Sequence, residues 1–341
     1  MAPSRCITRR QFTAILSAAP LAAPFFSQRA LSQEVLPARR CSSLAVDGDR
    51  ARFYLEGLSQ PVKLFVISDT HLFRDDQRGE PFRQYSERMA GAYHKTTDIH
   101  TGNPTDPETA LAATLEKAKQ YAPDALVLLG DMVSFPSEAG VEWLVGKLNE
   151  TELPWYYISG NHDWHYEGLP GSEIELRGQW APKRLGPLYR GENPLMYAVD
   201  IKGIRLVMID DSTNEILPEQ LEFFRAEAAL GQPMILGMHI PLYAEGRGLG
   251  FGCGHPDWDA RHDHVWEIER RERWPETGHS ATTLAFRREV LAAPNMLGVV
   301  TGHIHQKSLD VIGGTPQFVV PMNAAGGYLQ VEILPSGNPG E

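Results

Sequence analysis

The stretch Trp155-Tyr156-Tyr157-Ile158-Ser159-Gly160-Asn161-His162-Asp163 decides how this chain is read. Its first four residues are aromatic or branched, as in a strand. Gly160 lets the chain turn sharply where that strand ends. Asn161 offers a neutral carbonyl oxygen, His162 can pass a proton, and Asp163 can hold an imidazole in one tautomer. Met alone, these four residues read as a polar turn. The chain, however, repeats the arrangement four more times. Apolar runs over 62–68, 124–130, 234–238 and 296–301 end in Asp69-Thr70-His71, Asp131, His239-Ile240-Pro241 and Gly302-His303-Ile304-His305.

Between these runs the pattern turns helical. Asp106-Pro107 is an N-cap followed by proline at the first helical position, with Leu111, Leu115 and Ala118 on one face. Ser137 can cap the next helix, which turns Val141, Leu144, Val145 and Leu148 toward a sheet. Pro218 opens a helix carrying Leu221 and Phe224, and another is expected over 282–292. The order strand, helix, strand, helix, strand through 62–159 predicts parallel strands with right-handed crossovers, an α/β fold. A hairpin is predicted at the start, with arms 43–46 and 51–55 about Asp47-Gly48. Strands are expected at 196–201 and 205–209, and 309–312, 317–320 and 328–333 should alternate as antiparallel strands. The organisation read from the chain is a leader at 1–32, a tether and hairpin at 33–60, one large domain over 61–335 and a tail at 336–341. Three irregular insertions interrupt the domain, at 72–105, 164–194 and 242–280. The first reads as a surface loop or lid.

The 341 residues are 42% hydrophobic and 22% charged, ordinary for a domain with a substantial core. The leader resembles a twin-arginine export signal, with Thr8-Arg9-Arg10-Gln11-Phe12 ahead of an apolar run broken by Pro20 and Pro24. That run is too short and too interrupted to span a bilayer, so the expectation is an exported, periplasmic or secreted protein without a membrane span, delivered by the twin-arginine machinery. The leader carries four arginines and no acid, so its removal takes the net charge from −11 to −15. That acidity argues against stable nucleic-acid binding, though not against a small phosphorylated substrate at a cation site. Cys41 and Cys253 could pair, and three cysteines are too few for a disulfide scaffold. Oligomeric state is left open.

In open α/β sheets ligands bind beyond the carboxyl ends of the strands. Asp69, His71, Asp131, Asn161, His239, His303 and His305 all fall there. Residues two apart on an extended segment share a face, so Asp69 can act with His71 and His303 with His305. Carboxylate, imidazole and amide donors suit Mn, Fe, Zn or Co. One ion takes about four ligands, so seven suggest two divalent ions, with the Asp131 carboxylate as the natural bridge. Two such ions would bind a bridging water, lower its pKa and clamp phosphoryl oxygens. His162 is the motif histidine not needed as a ligand, and its imidazole suits proton transfer.

The ordered set D-x-H, GD, GNHD, a lone H and GHxH, across 69–305, resembles the calcineurin-like metallophosphoesterase superfamily. The resemblance implies a four-layer α-β-β-α sandwich of two mixed sheets flanked by helices. It implies one metal held by Asp69, His71, Asp131 and His305, and a second held by Asp131, Asn161, His239 and His303. It implies that His162 contacts the phosphate or protonates the leaving oxygen, with Asp163 steadying it. The expected activity is hydrolysis of a phosphodiester or phosphomonoester by a metal-bridged hydroxide. The alternatives are a non-catalytic scaffold on the same fold and a metallohydrolase of a non-phosphorus ester. Asp131 is followed by Met132, Val133 and Ser134, which disfavours the purple acid phosphatase branch, where a tyrosine ligand follows. The sequence leaves little room for the C-terminal substrate domain of the 5′-nucleotidase branch, and His239-Ile240-Pro241 looks closer to the compact phosphodiesterases. Arg74 reads as a solvated arginine more than a phosphate ligand. His94, His100, His165, His255, His262, His264 and His279 read mostly as exposed loop residues, and Trp258, Trp266 and Trp274 as loop packing.

Overall fold

The computed structural model describes residues 41–336. The expected leader, most of the tether and nearly all of the tail lie outside them. The chain opens with a hairpin, β1 (Cys41–Asp47) and β2 (Arg50–Leu55), then β3 (Val62–Ile67). The first insertion carries α1 (Arg83–Ala92) and a two-residue ladder, β4 (Thr96–Thr97) with β5 (Pro104–Thr105). Next come α2 (Pro107–Tyr121), β6 (Ala125–Leu129), α3 (Glu138–Asn149) and β7 (Trp155–Ile158). The second insertion holds α4 (Glu173–Trp180) and α5 (Gly186–Tyr189). It is followed by β8 (Met196–Ile201), β9 (Ile204–Ile209), α6 (Pro218–Ala229) and β10 (Met234–Gly237). The third insertion has only the short α7 (Trp266–Glu269). The chain ends with α8 (Ala281–Ala292), β11 (Met296–Thr301), β12 (Ser308–Ile312), β13 (Thr315–Val319) and β14 (Leu329–Pro335).

Two six-stranded mixed sheets result, ordered β1-β2-β14-β3-β6-β7 and β12-β13-β11-β10-β9-β8. The expected parallel strands are present: β3 runs parallel to β6, and β6 to β7. In the second sheet β9, β10, β11 and β13 are mutually parallel. The alternation of side chains explains the layering. Leu64, Val66, Val127 and Leu129 of the first sheet face Leu206, Met208, Ile235 and Val300 of the second. On the outer face of the first sheet, Phe65, Ile67, Leu126 and Leu128 meet α2 through Leu111 and Leu115, and α3 through Val141 and Leu144. On the outer face of the second, Val207, Leu236 and Val299 meet Leu221 and Phe224 of α6 and Phe286 of α8. The central strands β3, β6, β9, β10 and β11 are therefore apolar on both faces, and the four-layer arrangement follows.

Three expectations are corrected. The C-terminal strands do not form one antiparallel series. β12 and β13 make an antiparallel hairpin, but β13 runs parallel to β11. β14 crosses to the first sheet, parallel to β2 and antiparallel to β3. Second, the 72–105 insertion is not irregular throughout, since α1 occupies its middle. Third, Cys41 is exposed and Cys253 buried, and both thiols are free. The predicted caps hold: Asp106 accepts the N–H of Thr109, and Ser137 that of Gly140. No helix of the described residues is long and apolar enough to cross a membrane.

Candidate metal centre

The loops after β3, β6, β7, β10 and β11 meet at the carboxyl ends of both sheets, cross-tied by backbone hydrogen bonds. Asp69 N donates to Gly130 O at 3.0 Å, His71 N to Asp131 O at 2.8 Å and Gly302 N to His239 O at 2.9 Å. His303 N donates to Asp69 Oδ2 at 3.0 Å and His162 N to Asp131 Oδ1 at 2.8 Å. The glycines of the motifs permit this approach. A Cβ on Gly160 would lie 2.5 Å from Asp131 N, and one on Gly302 would lie 2.5 Å from Asp69 Oδ2 and still closer to the Ser68 hydroxyl.

All seven predicted ligands converge. The donor atoms of Asp69, His71, Asp131 and His305 lie within 4.8 Å of one another, and so do those of Asp131, His239 and His303. The Nε2 atoms of His71 and His305 face each other at 3.0 Å, with Asp69 Oδ1 3.4 Å from His305 Nε2. His239 Nε2 lies 3.2 Å from Asp131 Oδ2 and 3.2 Å from Asn161 Oδ1. The shared member is Asp131, as the ligand count anticipated. Five of the seven, Asp69, His71, Asp131, His303 and His305, hold positive φ between 50° and 73°. That conformation costs a non-glycine residue on the order of 1–3 kcal/mol and concentrates at functional sites.

The environment suits cations. Asp69, His71 and His239 are fully buried and Asp131 nearly so. Burial holds His71 well below the usual imidazole range and His303 at about 4, so both rings are neutral with lone pairs available. Burial also opposes charge on His239, but Asp131 beside it drives that ring up to about 10. A proton there takes the place that a cation would fill between the two side chains. His239 Nδ1 contacts Leu129 O at 2.7 Å, which orients the ring with Nε2 toward Asp131. His303 Nε2 sits 3.0 Å from Gly250 O of the third insertion. Converging lone pairs and two buried carboxylates, with His71 Nε2 turned toward them, fit a divalent pair.

His162 lies at the edge of this cluster, its ring edge-on to His71 with centroids 5.0 Å apart and its Nδ1 without a hydrogen bond. No hydrogen bond joins Asp163 to the His162 ring, as direct steadying would require. The fully buried Asp163 carboxylate accepts Val133 N at 2.9 Å and Gly160 N at 2.8 Å, pinning the β7 loop to the β6 loop. Successive side chains in this tight turn diverge, so neighbours in sequence do not meet. Arg74 pairs with Glu108 at 2.7 Å on the surface, away from the cluster. Sequence reasoning missed Tyr93, whose ring stacks on His71 at 4.1 Å and meets His305 edge-on at 5.0 Å. It also missed Asp211, which accepts the N–H groups of His239 and Ile240 at 3.0 Å each. No motif marked either residue. His165 and His255 are buried, not exposed. Trp258 is the packing residue expected, stacked between Trp274 and His279. A cleft of about 470 Å³ opens over the centre, lined by Asp131, Asn161, His162, His303, His305 and Tyr93.

The Calcineurin-like phosphoesterase family model matches residues 62–307. A 55-residue stretch is 34% identical to a probable cyclic nucleotide phosphodiesterase of Moraxella catarrhalis, covering 16% of this chain and only 20% of that relative. Among solved structures, a dimetal phosphatase from Danio rerio superposes with TM-score 0.48 at 10% identity, over 79% of this chain and 91% of that one. The calcineurin-like phosphoesterase YfkN from Bacillus subtilis superposes with TM-score 0.40 at 13% identity, over 78% and 82%. With its motifs at the strand ends of both sheets and more than half of its length matched, the chain belongs to the calcineurin-like phosphoesterase family.

Proposed function

We propose that this chain is a dinuclear, metal-dependent phosphoesterase acting on a small phosphorylated substrate. The observation that carries the reading is the convergence of two donor groups on one shared carboxylate, Asp131, beside a histidine that neither group uses. One cation would be held by Asp69, His71, Asp131 and His305, and the other by Asp131, Asn161, His239 and His303. When bound, the pair supplies an acidified water and a clamp for phosphoryl oxygens. The chain's own groups supply the rest. The oriented His239 ring and the cross-tied Asp69 and Asp131 loops fix the donors before any ligand arrives. His162 lines the cleft without belonging to either donor group, and is placed to give a proton to the leaving oxygen. Asp163 acts at one remove by fixing the turn that carries His162. Tyr93 covers His71 and shields that side of the centre from solvent.

The local similarity to a probable cyclic nucleotide phosphodiesterase favours a diester as the first substrate to try. Export through the twin-arginine route belongs to the same proposal and rests on the residue 1–32 pattern alone. The test is to purify the chain without its first 32 residues, add Mn²⁺, and assay bis(p-nitrophenyl) phosphate and p-nitrophenyl phosphate. Turnover of at least one ester is expected. Asp131→Asn should abolish it while the protein still unfolds cooperatively. A folded Asp131→Asn protein with unchanged turnover would overturn the assignment.

A further inference from the structure

A second cavity, of about 290 Å³, opens beside the cleft and shares Asn161, His165, Glu269, Arg271 and His303 with it. Apart from Asn161, His303, Ser212 and Asn214, its walls come from the second and third insertions, which the ligand motifs do not dictate. Trp164 and Leu249 supply apolar surface. His165 stands where the two cavities join. It is only 8% exposed, yet its ring makes no hydrogen bond among the described residues. Burial pushes this ring down to about 3, so it stays neutral and offers one donor and one acceptor. Its ring nitrogens are not sealed from solvent, so at this junction they can meet a bound molecule.

The charges are unbalanced. Glu173, Asp263 and Glu269 line the cavity against the one cation Arg271. Arg271 is already committed, donating to Asp263 at 2.9 and 2.7 Å and to Glu269. It also lies over the Trp274 ring, whose stacking partner is Trp258. Glu173 has no hydrogen bond to its carboxylate among the described residues, and burial drives it up to about 7. Like charge brought against such a wall is penalised, and opposite charge is favoured.

We propose that this cavity receives one ester arm of the phosphoester, and that the arm it selects is an alcohol bearing an ammonium group. The cation lies against Glu173 and the polar atoms of the arm meet His165. The inference rests on the phosphoesterase reading above. It is tested with three methyl phosphodiesters of matched size, whose second alcohol is choline, its neutral isostere 3,3-dimethylbutanol, or a carboxylate-bearing alcohol. Bis(p-nitrophenyl) phosphate serves as the general control, and kcat/KM is read by ³¹P NMR on the Mn²⁺-loaded protein. The choline ester should exceed the carboxylate ester by at least about tenfold, as one favourable charge contact requires. Glu173→Gln should lower the ratio of choline ester to neutral isostere several-fold. Equal rates for choline ester and isostere, or a Glu173→Gln protein with an unchanged ratio, overturns this inference and leaves the phosphoesterase reading standing. A protein that hydrolyses none of the four diesters overturns this inference, and one that leaves p-nitrophenyl phosphate untouched as well overturns both.

Discussion

Replacing Asp163 by alanine separates two roles that adjacency to His162 confuses. The carboxylate is fully buried and accepts two backbone N–H groups, from Val133 at 2.9 Å and Gly160 at 2.8 Å. Removing it strands both donors, at about 1–3 kcal/mol each, so the loss should be roughly 2–6 kcal/mol. For a domain of this size each kcal/mol moves the melting temperature by about 2 °C, toward the low end of the usual range, so a fall of roughly 4–12 °C is expected. Asp163→Asn keeps one acceptor and should lose about half as much. His162→Ala should behave in the opposite way. The ring is half-buried and its Nδ1 unbonded, so stability should change by less than about 1 kcal/mol. Turnover should fall by roughly 10²–10⁴, the range for losing a general acid. Differential scanning calorimetry and steady-state rates on the same preparations report both quantities. An Asp163→Ala protein that melts within 2 °C of the parent, about one kcal/mol on this scale, but has a displaced pH–rate profile would refute the latch and restore Asp163 as the partner of His162.

Three further outcomes are expected. Gly302→Ala places a methyl group against the Ser68 hydroxyl and 2.5 Å from Asp69 Oδ2. Metal analysis should show less than the parent's metal content, and full retention with full activity would contradict the close-packing argument. Chelation should lower the melting temperature of the metal-loaded protein. Metal at a hundred times its dissociation constant contributes about 2.7 kcal/mol, worth about 5 °C on the scale used above. A melting curve indifferent to chelator and to Mn²⁺ would remove the metal centre. The KM for the ammonium-bearing ester should fall as pH rises through about 7. Glu173 has its carboxyl raised to about 7, so it is ionised above that pH and its attraction is lost below it. Arg271 and Arg177 face it as cations, with Glu272 and Glu269 as acids, and burial outweighs them all. The neutral isostere should show no matching change, and parallel pH profiles for the two esters would count against Glu173.

Strand positions and their ligand-bearing ends were legible because a strand buried on both faces must be apolar throughout, and the break to Asp, His or Asn is abrupt. The partner of β14 was not legible. Leu329, Val331 and Ile333 are buried and alternate with half-buried neighbours, which says that one face is covered and nothing about by which sheet. Pairing between β2 and β3 is decided by the apolar surface the two sheets share, a long-range quantity. α1 escaped notice for the converse reason. Only Ser86 and Met89 are buried among its ten residues, so no helical stripe is written into 83–92. The walls of the second cavity are equally silent. Glu173, His165 and Arg271 lie on segments with no shared spacing and meet only because the two insertions fold over the same strand ends.

The strain at the centre has a partial signature in the sequence. Asp69, His71, Asp131, His303 and His305 all hold positive φ, uncommon for any residue but glycine, although Asp and His adopt it more often than most. Nothing in the residue types alone announces this for three histidines. What holds them is the lattice of ties from loop to loop: Asp69 N to Gly130 O, His303 N to Asp69 and His162 N to Asp131. Those ties need backbones closer than any Cβ would permit at Gly160 and Gly302. The glycines flanking the ligands are therefore the readable trace of an arrangement whose strained members the sequence does not mark. Because the ties are made within the protein, two of them by the Asp69 and Asp131 carboxylates themselves, the donors are positioned before a cation or substrate arrives. It follows that a glycine substitution should impair metal binding as severely as loss of a ligand, although no glycine touches the metal.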